Sequence, residues 1–201
     1  MRIGIDFDNT IVSYDALFHQ IALEKALIPT NLAANKTAVR DHLRATNREE
    51  QWTLMQGEVY GPRMELAIPY AHAIESIAHL KQMGHEIYIV SHKTKHPFMG
   101  PAYDLHESAR NWIGRSLIHN RAPLIEEHSI FYELTKEEKI KRICSLNCDA
   151  FIDDLPEILT LTGFPAHTIK ILFDPDQQYT QHRQHFQTVA SWLAVPDLVA
   201  N

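Results

Sequence analysis

The sequence lacks the features that define several large classes of proteins. It has only two cysteines, Cys144 and Cys148, so a disulfide-stapled fold is excluded and a reducing cytoplasm is the simplest setting. No apolar run approaches the roughly 20 residues of a membrane-spanning helix, and the N-terminus shows no signal-peptide pattern. The net charge of -6 provides no basic surface for nucleic acid. We therefore expect a cytoplasmic protein that binds neither membranes nor nucleic acid.

What the sequence does contain is an alternation of short apolar segments and helical patterns. Its 201 residues, 45% of them hydrophobic, suffice for one sizeable core. Helical spacing covers residues 71–83 and 104–117, and the capping box T-K-E-E at Thr135 opens a third helix. The segments with strand character are residues 2–6, 86–90, 129–132, 150–152 and 168–173. Apolar strands that alternate with helices predict an α/β fold with a doubly wound parallel sheet.

One stretch interrupts this alternation directly after the first strand. Residues 14–67 have helical patterns near 15–27, 37–44 and 48–56, with Pro29 after the first and Gly57, Gly61 and Pro62 after the last. We therefore predict that residues 1–13 and 68–201 form the α/β core. Residues 14–67 are predicted to form a small all-helical subdomain inserted into it.

The first strand ends in two aspartates, Asp6 and Asp8, within the sequence D-F-D-N-T. Residues two apart in an extended segment point the same way. Two carboxylates on one side repel each other unless a cation or a shared proton holds them. The pair therefore predicts a divalent metal, acid–base chemistry, or both.

Polar residues follow three of the predicted strands, and the capped helix adds lysines. In a parallel α/β sheet, functional groups lie just beyond the carboxyl ends of the strands. Several carboxylates, a hydroxyl and an ammonium at one edge suit phosphoryl transfer with Mg²⁺, a cation that prefers oxygen ligands. The residues that are expected to converge are Asp6, Asp8, Thr10, Ser91, His92, Lys136, Lys139, Asp153 and Asp154.

These residues stand in four motifs that resemble those of the haloacid dehalogenase-like (HAD) hydrolases. D-F-D-N-T resembles the first motif, I-V-S-H the second and F-I-D-D the fourth. Lys139, fourteen residues before Asp153, stands where the family's third-motif lysine is usual. The resemblance extends over the whole chain in the order of the motifs, and four ordered motifs are far more specific than one. It implies a Rossmann-like HAD core, with residues 14–67 as a helical cap.

The resemblance also implies a role for each acidic residue. Asp6 would be the nucleophile that forms an aspartyl-phosphate. Asp8 would protonate the leaving alkoxide and then act as the base for water. Mg²⁺ would be held by the Asp6 carboxylate, the Asp8 main-chain carbonyl and the acidic pair. We favour Asp154 as the direct ligand and Asp153 as the water-mediated partner or as an orienting residue.

The remaining implied residues surround the phosphoryl group. Ser91 and the main chain near Phe7 and Asn9 would donate hydrogen bonds to its oxygens, and Lys139 would balance its charge. Thr10 would brace the turn after the strand. The run of basic residues that begins at His92 and Lys93 is expected to form a solvated loop, although its position next to Ser91 leaves a contact with the substrate open.

The presence of Asp8 favours phosphate esters, because family members that cleave carbon–halogen bonds lack that carboxylate. The expected activity is that of a Mg²⁺-dependent phosphatase acting on a small phosphorylated metabolite. A phosphotransferase or phosphomutase with the same site is an alternative, as is a non-catalytic phosphate-responsive binding module. The sequence defines neither the substrate nor the oligomeric state. Taken singly, each polar residue of the cap is expected to lie on a solvated helix face. The candidates for reading the leaving group are Lys36, Arg40, Arg44, Tyr60 and Arg63.

Overall fold

A six-stranded parallel sheet forms the centre of the fold in the computed structural model, which describes residues 1–179 and 185–200. The strands of the described residues are, in chain order, β1 (Arg2–Ile5), β2 (Val12–Ser13), β3 (Ile68–Pro69), β4 (Glu86–His92), β5 (Ile118–His119), β6 (Ala122–Pro123), β7 (Ile130–Glu133), β8 (Ala150–Asp153), β9 (Ile169–Phe173) and β10 (Gln187–Val189). The central sheet has the order β10-β9-β8-β1-β4-β7, and its neighbouring strands are parallel.

The strand order places a switch point beside β1. From β1 the chain builds outward through β4 and β7, and then returns to the other side of β1 to add β8, β9 and β10. Ligands of doubly wound sheets bind outside the carboxyl ends of the strands at such a point. The carboxyl ends of β1, β4 and β8 are therefore the expected position of a functional site.

Helices connect the strands of this sheet. Those of the described residues are α1 (Asp15–Glu24), α2 (Lys36–Ala45), α3 (Glu49–Tyr60), α4 (Ala73–Gln82), α5 (Leu105–Ser116), α6 (Lys136–Ser145), α7 (Pro156–Leu159) and α8 (Val195–Leu198), with short 3₁₀ turns at Met64–Leu66, Glu127–Ser129 and Trp192–Ala194. None of the described helices is long and apolar enough to cross a bilayer.

Apolar side chains of the sheet and of helices α6 and α7 form a buried cluster on one face. Val90, Phe151 and Leu172 contribute from three strands, and Ile140 and Ile158 contribute from the two helices. The predicted doubly wound α/β class is confirmed, with all five predicted strands present. The sixth strand, β10, was not predicted from the sequence.

The described chain divides into two compact units. The first consists of Met1–Val12, Pro69–Lys93 and the chain from Gly114 onward, and it contains the central sheet. The second consists of Ser13–Ile68 and Thr94–Ile113. The predicted insertion 14–67 lies within the second unit, together with 94–113, a stretch that the sequence prediction left in the core.

Aromatic rings pack the helices of the second unit together. The rings of Phe18 and Trp52 stack with centroids 4.8 Å apart, and Tyr14 meets Tyr60 edge-on at the same separation. The Lys36 ammonium lies 5.7 Å from the Phe18 centroid and 5.6 Å from that of Tyr60. The other basic residues named as possible readers form ion pairs inside the same unit, namely Arg40 with Asp41, Arg44 with Glu49, and Arg63 with Glu24.

The close packing of β1 on β8 generates a test of the core. A Cβ atom at Gly4 would lie 2.5 Å from the Phe151 ring and 3.1 Å from the Cys148 sulfur. Gly4→Ala is therefore expected to overpack the core and to lower the free energy of unfolding in urea by about 1–3 kcal/mol. Gly114→Ala is the matched control, since a Cβ atom at that position would meet nothing within 4 Å. Within helix α5 it should be neutral or stabilising by up to about 1 kcal/mol. Equal effects of the two substitutions would contradict the packing described.

Candidate active site

A buried lysine joins two aspartates at the carboxyl edge of the sheet. The Lys139 ammonium lies 2.6 Å from Asp6 Oδ1 and 2.6 Å from Asp153 Oδ2. Asp6 directly follows β1, and its amide donates to the Ile152 carbonyl of β8 at 2.8 Å. Helix α6 begins with the predicted capping box at Thr135, which fixes the first turn that carries Lys139. The structure thus brings these three predicted residues together.

Burial shapes the charge of this cluster. Burial is the largest cause that raises the pKa of Asp6 to about 7, with Asp153 and Asp8 adding to it and Lys139 opposing it. Burial alone would lower the pKa of Lys139, but Asp153 and Asp6 outweigh it and raise that pKa above its ordinary value. Lys139 is therefore a permanent cation, whereas Asp6 needs further positive charge to ionise fully at neutral pH.

Three carboxylates at this edge suit a metal ion. Asp6, Asp153 and Asp154 each offer an oxygen, and these oxygens lie within 4.8 Å of one another. Ligand oxygens of octahedral Mg²⁺ are about 3 Å apart when adjacent and about 4.2 Å when opposite, given bonds of about 2.1 Å. The donor set consists of oxygens, as a hard cation requires. The limit of 4.8 Å is somewhat longer than the largest of these separations, and the oxygen donors suit a hard divalent cation.

The two residues of the acidic pair differ in their surroundings. Asp153 is fully buried, and both of its oxygens accept hydrogen bonds, one from Lys139 and the other from the Leu155 amide at 2.9 Å. Asp154 is partly exposed, and its Oδ1 lies 3.4 Å from the Thr10 hydroxyl. Asp153 is thus held in place by the protein, while Asp154 is more accessible to solvent.

The turn after β1 is tight and holds Thr10 close to the carboxylates of Asp6 and Asp154. The Phe7 carbonyl accepts the amides of Ile11 at 3.0 Å and of Val12 at 3.2 Å. Asn9 adopts a left-handed φ of 59°, and its amide donates to the Val12 carbonyl at 2.9 Å. The Thr10 hydroxyl lies 3.3 Å from Asp6 Oδ2 and 3.4 Å from Asp154 Oδ1, so it reaches both carboxylates.

Trp192 holds the same turn through a hydrogen bond to its main chain. Its indole nitrogen donates to the Thr10 carbonyl at 2.9 Å, and its own side chain is fully buried. The Ser76 hydroxyl of helix α4 donates in turn to the Trp192 carbonyl at 2.9 Å. The position of Thr10 is therefore fixed by residues that lie far away in the chain.

Asp8 has a different partner from Asp6. Its two carboxylate oxygens lie 3.0 and 2.9 Å from the ammonium of Lys93, a buried residue just beyond β4. The sequence predicted that Asp6 and Asp8 point the same way from one strand. Because β1 ends at Ile5 and the chain then turns, each aspartate is paired with its own lysine.

Ser91 and His92, predicted as neighbours in the second motif, have different environments. Ser91 is fully buried, and its hydroxyl has no hydrogen-bond partner in the described structure. A buried hydroxyl without a partner is costly unless a ligand satisfies it. His92 is exposed, and its Nε2 lies 3.2 Å from the Leu134 carbonyl. The structure does not bring His92 together with the other predicted site residues.

Lys93 is the residue that the sequence prediction missed, because a run of basic residues favoured a solvated loop. The alternation of side chains along the strand would have identified it. Residues two apart share a side, so Lys93 follows Ser91 on the same side of β4. Its amide continues the pairing by donating to the Glu133 carbonyl at 2.9 Å. Extending the predicted strand by three residues would have placed an ammonium at the site.

Solved structures with the same fold are HAD hydrolases. A HAD-family hydrolase of Deinococcus radiodurans with bound phosphate and sodium superposes with a TM-score of 0.59 at 12% identity, covering 99% of this chain and 94% of that one. A HAD-superfamily hydrolase of Ehrlichia chaffeensis gives a TM-score of 0.56 at 13% identity, covering 99% and 95%. The chain thus has the fold of these hydrolases, which is the fold that the resemblance of its motifs implies.

Two curated proteins match nearly the whole chain in sequence, and both carry the name "Putative nucleotidase". The protein of Bacillus cereus is 24% identical over 206 residues, covering 99% of this chain and 98% of its own length. The protein of Oceanobacillus iheyensis is 26% identical over 200 residues, covering 96% and 95%. No protein-family model matches the chain.

The Lys139 cluster generates a test of stability without any ligand. Lys139→Met would leave Asp6 and Asp153 buried without their shared cation, and removing one partner of a buried ion pair costs about 3–5 kcal/mol. We expect a loss of that order in the free energy of unfolding at pH 8, measured in urea with EDTA. Lys141→Met, two positions along the same helix on an exposed side chain, should change stability by less than about 0.5 kcal/mol. Similar losses in the two variants would argue against the cluster.

Proposed function

We propose that this protein is a Mg²⁺-dependent phosphatase that hydrolyses a small phosphorylated metabolite through an aspartyl-phosphate intermediate. The observation that carries the proposal is the buried contact of Lys139 with both Asp6 and Asp153, at the switch point of a HAD-type sheet. A stability role alone would not require three buried charges at that edge, because such clusters gain little over apolar packing.

The proposed reaction has two halves. In the first, an Asp6 oxygen attacks phosphorus, the bond from phosphorus to the ester oxygen breaks, and Asp8 gives its proton to the leaving oxygen. In the second, water attacks phosphorus, Asp8 takes a proton from that water, and the bond to Asp6 breaks to release phosphate. Ser91 and Lys139 hold phosphoryl oxygens through both steps. The unpartnered hydroxyl of Ser91 supports its part.

Metal binding completes the charge of the site. With Asp6, Asp8, Asp153 and Asp154 all ionised, these carboxylates would carry two more charges than the two ammonium groups of Lys93 and Lys139 balance. We propose that Asp6, the Asp8 main-chain carbonyl and Asp154 hold Mg²⁺, while Asp153 orients Lys139. When bound, Mg²⁺ would neutralise charge that develops on the phosphoryl oxygens.

The relatives narrow the choice of first substrates. Since both curated relatives carry the name "Putative nucleotidase", nucleoside monophosphates are the first phosphorylated metabolites to test as substrates. We propose that residues 14–67 act as a cap that selects the leaving group. We also propose a cytoplasmic setting, with which the free thiols of Cys144 and Cys148 are compatible.

Phosphate release with and without Mg²⁺ tests the function. The wild-type protein should release phosphate from at least one member of a panel of nucleoside 5′-monophosphates and sugar phosphates. EDTA should remove the activity, and added Mg²⁺ should restore it. Asp6→Asn should lower turnover by at least about a thousandfold, because the amide is a poor nucleophile.

Asp41→Asn is the matched control for Asp6→Asn, since Asp41 is exposed on α2 and pairs at the surface with Arg40. It should keep close to wild-type turnover. Persistent phosphate release by Asp6→Asn would overturn the proposed mechanism, and full activity in EDTA would overturn the metal dependence.

The raised pKa of Asp6 predicts a pH dependence of metal binding. Because this pKa is about 7 without metal, Mg²⁺ must displace a proton from Asp6 below pH 7. The apparent affinity should therefore rise with pH, by up to about tenfold per unit below pH 7, and level off above it. Calorimetry at pH 6, 7 and 8 in buffers of different ionisation enthalpy measures the released protons. Release should shrink from pH 6 to pH 8 and should be absent in Asp6→Asn; release that grows with pH would contradict the assignment.

A further inference from the structure

Lys93 is a buried cation for which the four motifs provide no role. Its side chain is only 4% exposed, and its ammonium lies 3.0 and 2.9 Å from the two carboxylate oxygens of Asp8. Its amide is fixed by the hydrogen bond to the Glu133 carbonyl at the end of β7. The ammonium also lies 5.9 Å from the centre of the Phe7 ring. Burying a lysine is costly unless a charged partner compensates it, so this contact is a specific feature of the site.

The contact has a defined chemical consequence for Asp8. An ammonium group has three donors and no acceptor, so both oxygens of Asp8 accept from it. A carboxylate held through both oxygens has a fixed orientation, which a base needs in order to accept a proton from water. This is the task of Asp8 in the second half of the proposed reaction.

The two buried lysines therefore serve different carboxylates. Lys139 contacts Asp6 and Asp153, whereas Lys93 contacts Asp8. Once Asp6 carries the phosphoryl group, it no longer offers a free carboxylate, and Lys139 still has Asp153 as a partner. Lys93 can hold Asp8 throughout that interval, since its contact is independent of Asp6.

We propose that Lys93 is a positioning residue that holds Asp8 as the base for hydrolysis of the aspartyl-phosphate. This inference rests on the proposed function. In the step concerned, the water oxygen bonds to phosphorus as the bond from phosphorus to the Asp6 oxygen breaks. The proton of the water passes to Asp8, phosphate is released, and the Asp6 carboxylate is regenerated. Lys93 touches neither phosphorus nor the water in this step, and it acts through the orientation of Asp8.

A substrate with a good leaving group isolates this step. With 4-nitrophenyl phosphate the nitrophenolate departs with little need of a proton, so the first half-reaction depends little on Asp8. The second half-reaction still needs Asp8 as the base. Rapid-mixing measurement of nitrophenolate at saturating Mg²⁺ then separates the two halves, because the first half appears as a burst and the second as the steady rate.

For Lys93→Met we expect a burst of close to one nitrophenolate per protein, followed by a steady rate about 10- to 100-fold below wild type. Because the first half-reaction is intact, kcat/KM should stay within about threefold of wild type, so KM falls together with kcat. Lys93→Arg should recover part of kcat. Asp8→Asn should show the same burst, and the double variant should lose little more than Asp8→Asn alone.

Lys95→Met is the matched control, because Lys95 lies two positions further on, is largely exposed and is 3.7 Å from Asp104. It should behave like the wild type. Lys93→Gln provides a second variant that removes the charge while keeping a polar side chain, and thermal melting reports whether each variant is folded.

The outcomes separate the proposal from its rivals. A fall in kcat/KM that matches the fall in kcat, without a burst, would place Lys93 on the phosphoryl group and overturn the proposal. Unfolding of both Lys93→Met and Lys93→Gln would show that the residue serves the fold, and would overturn it as well. If the wild-type protein releases neither nitrophenolate nor phosphate, the proposed function itself fails and the inference fails with it.

Discussion

The contact of Lys139 with Asp6 and Asp153 is the constraint on which the rest of the site depends. Three charged groups are buried there, and none is stable without the others, because a buried charge must be paired. The contact joins β1, α6 and β8 through distances of 2.6 Å. Helix α6 packs on β4 and β7, and it must begin where Lys139 can reach both Asp6 and Asp153. The capping box at Thr135 fixes where that turn begins.

The surroundings of this cluster explain the raised pKa of Asp6. Phe151 lies beneath the site, with its ring 5.4 Å from the Lys139 ammonium, and Gly4 leaves the space that this ring fills. Burial raises the pKa of Asp6, so its ionised carboxylate needs more positive charge nearby. The proposed site, which would hold a cation and then a phosphoryl group, has this need, whereas a purely structural ion pair would be better served by balanced charge.

The sequence predicted most of the sheet and most of the site, for a physical reason. Apolar strands that end in polar residues define the strands of the sheet and the residues at its carboxyl edge together. The pattern of residues alone was therefore enough to place Asp6, Ser91 and Asp153 at that edge. Strand β10 was missed because it is short and only Val189 of its three residues is buried. The two hydrogen bonds that occupy Asp153 were also unpredictable, since they depend on how α6 and the chain at Leu155 approach it. Lys93 stands in a run of basic residues, a composition that is typical of a solvated loop. The alternation of side chains along β4 is the signal that would have placed it beside Ser91.

The separation of Asp6 from Asp8 follows from the end of β1. Val90 packs in the cluster under α6, so alternation along β4 places Ser91 and Lys93 toward the other face. Asp6 faces Lys139 on the α6 side, and Asp8, beyond the turn, faces Lys93. In the proposed reaction, Asp6 becomes esterified and Asp8 gains and loses a proton, so the two carboxylates change charge at different times. Giving each carboxylate its own lysine allows one to change charge while the other keeps its partner and its position.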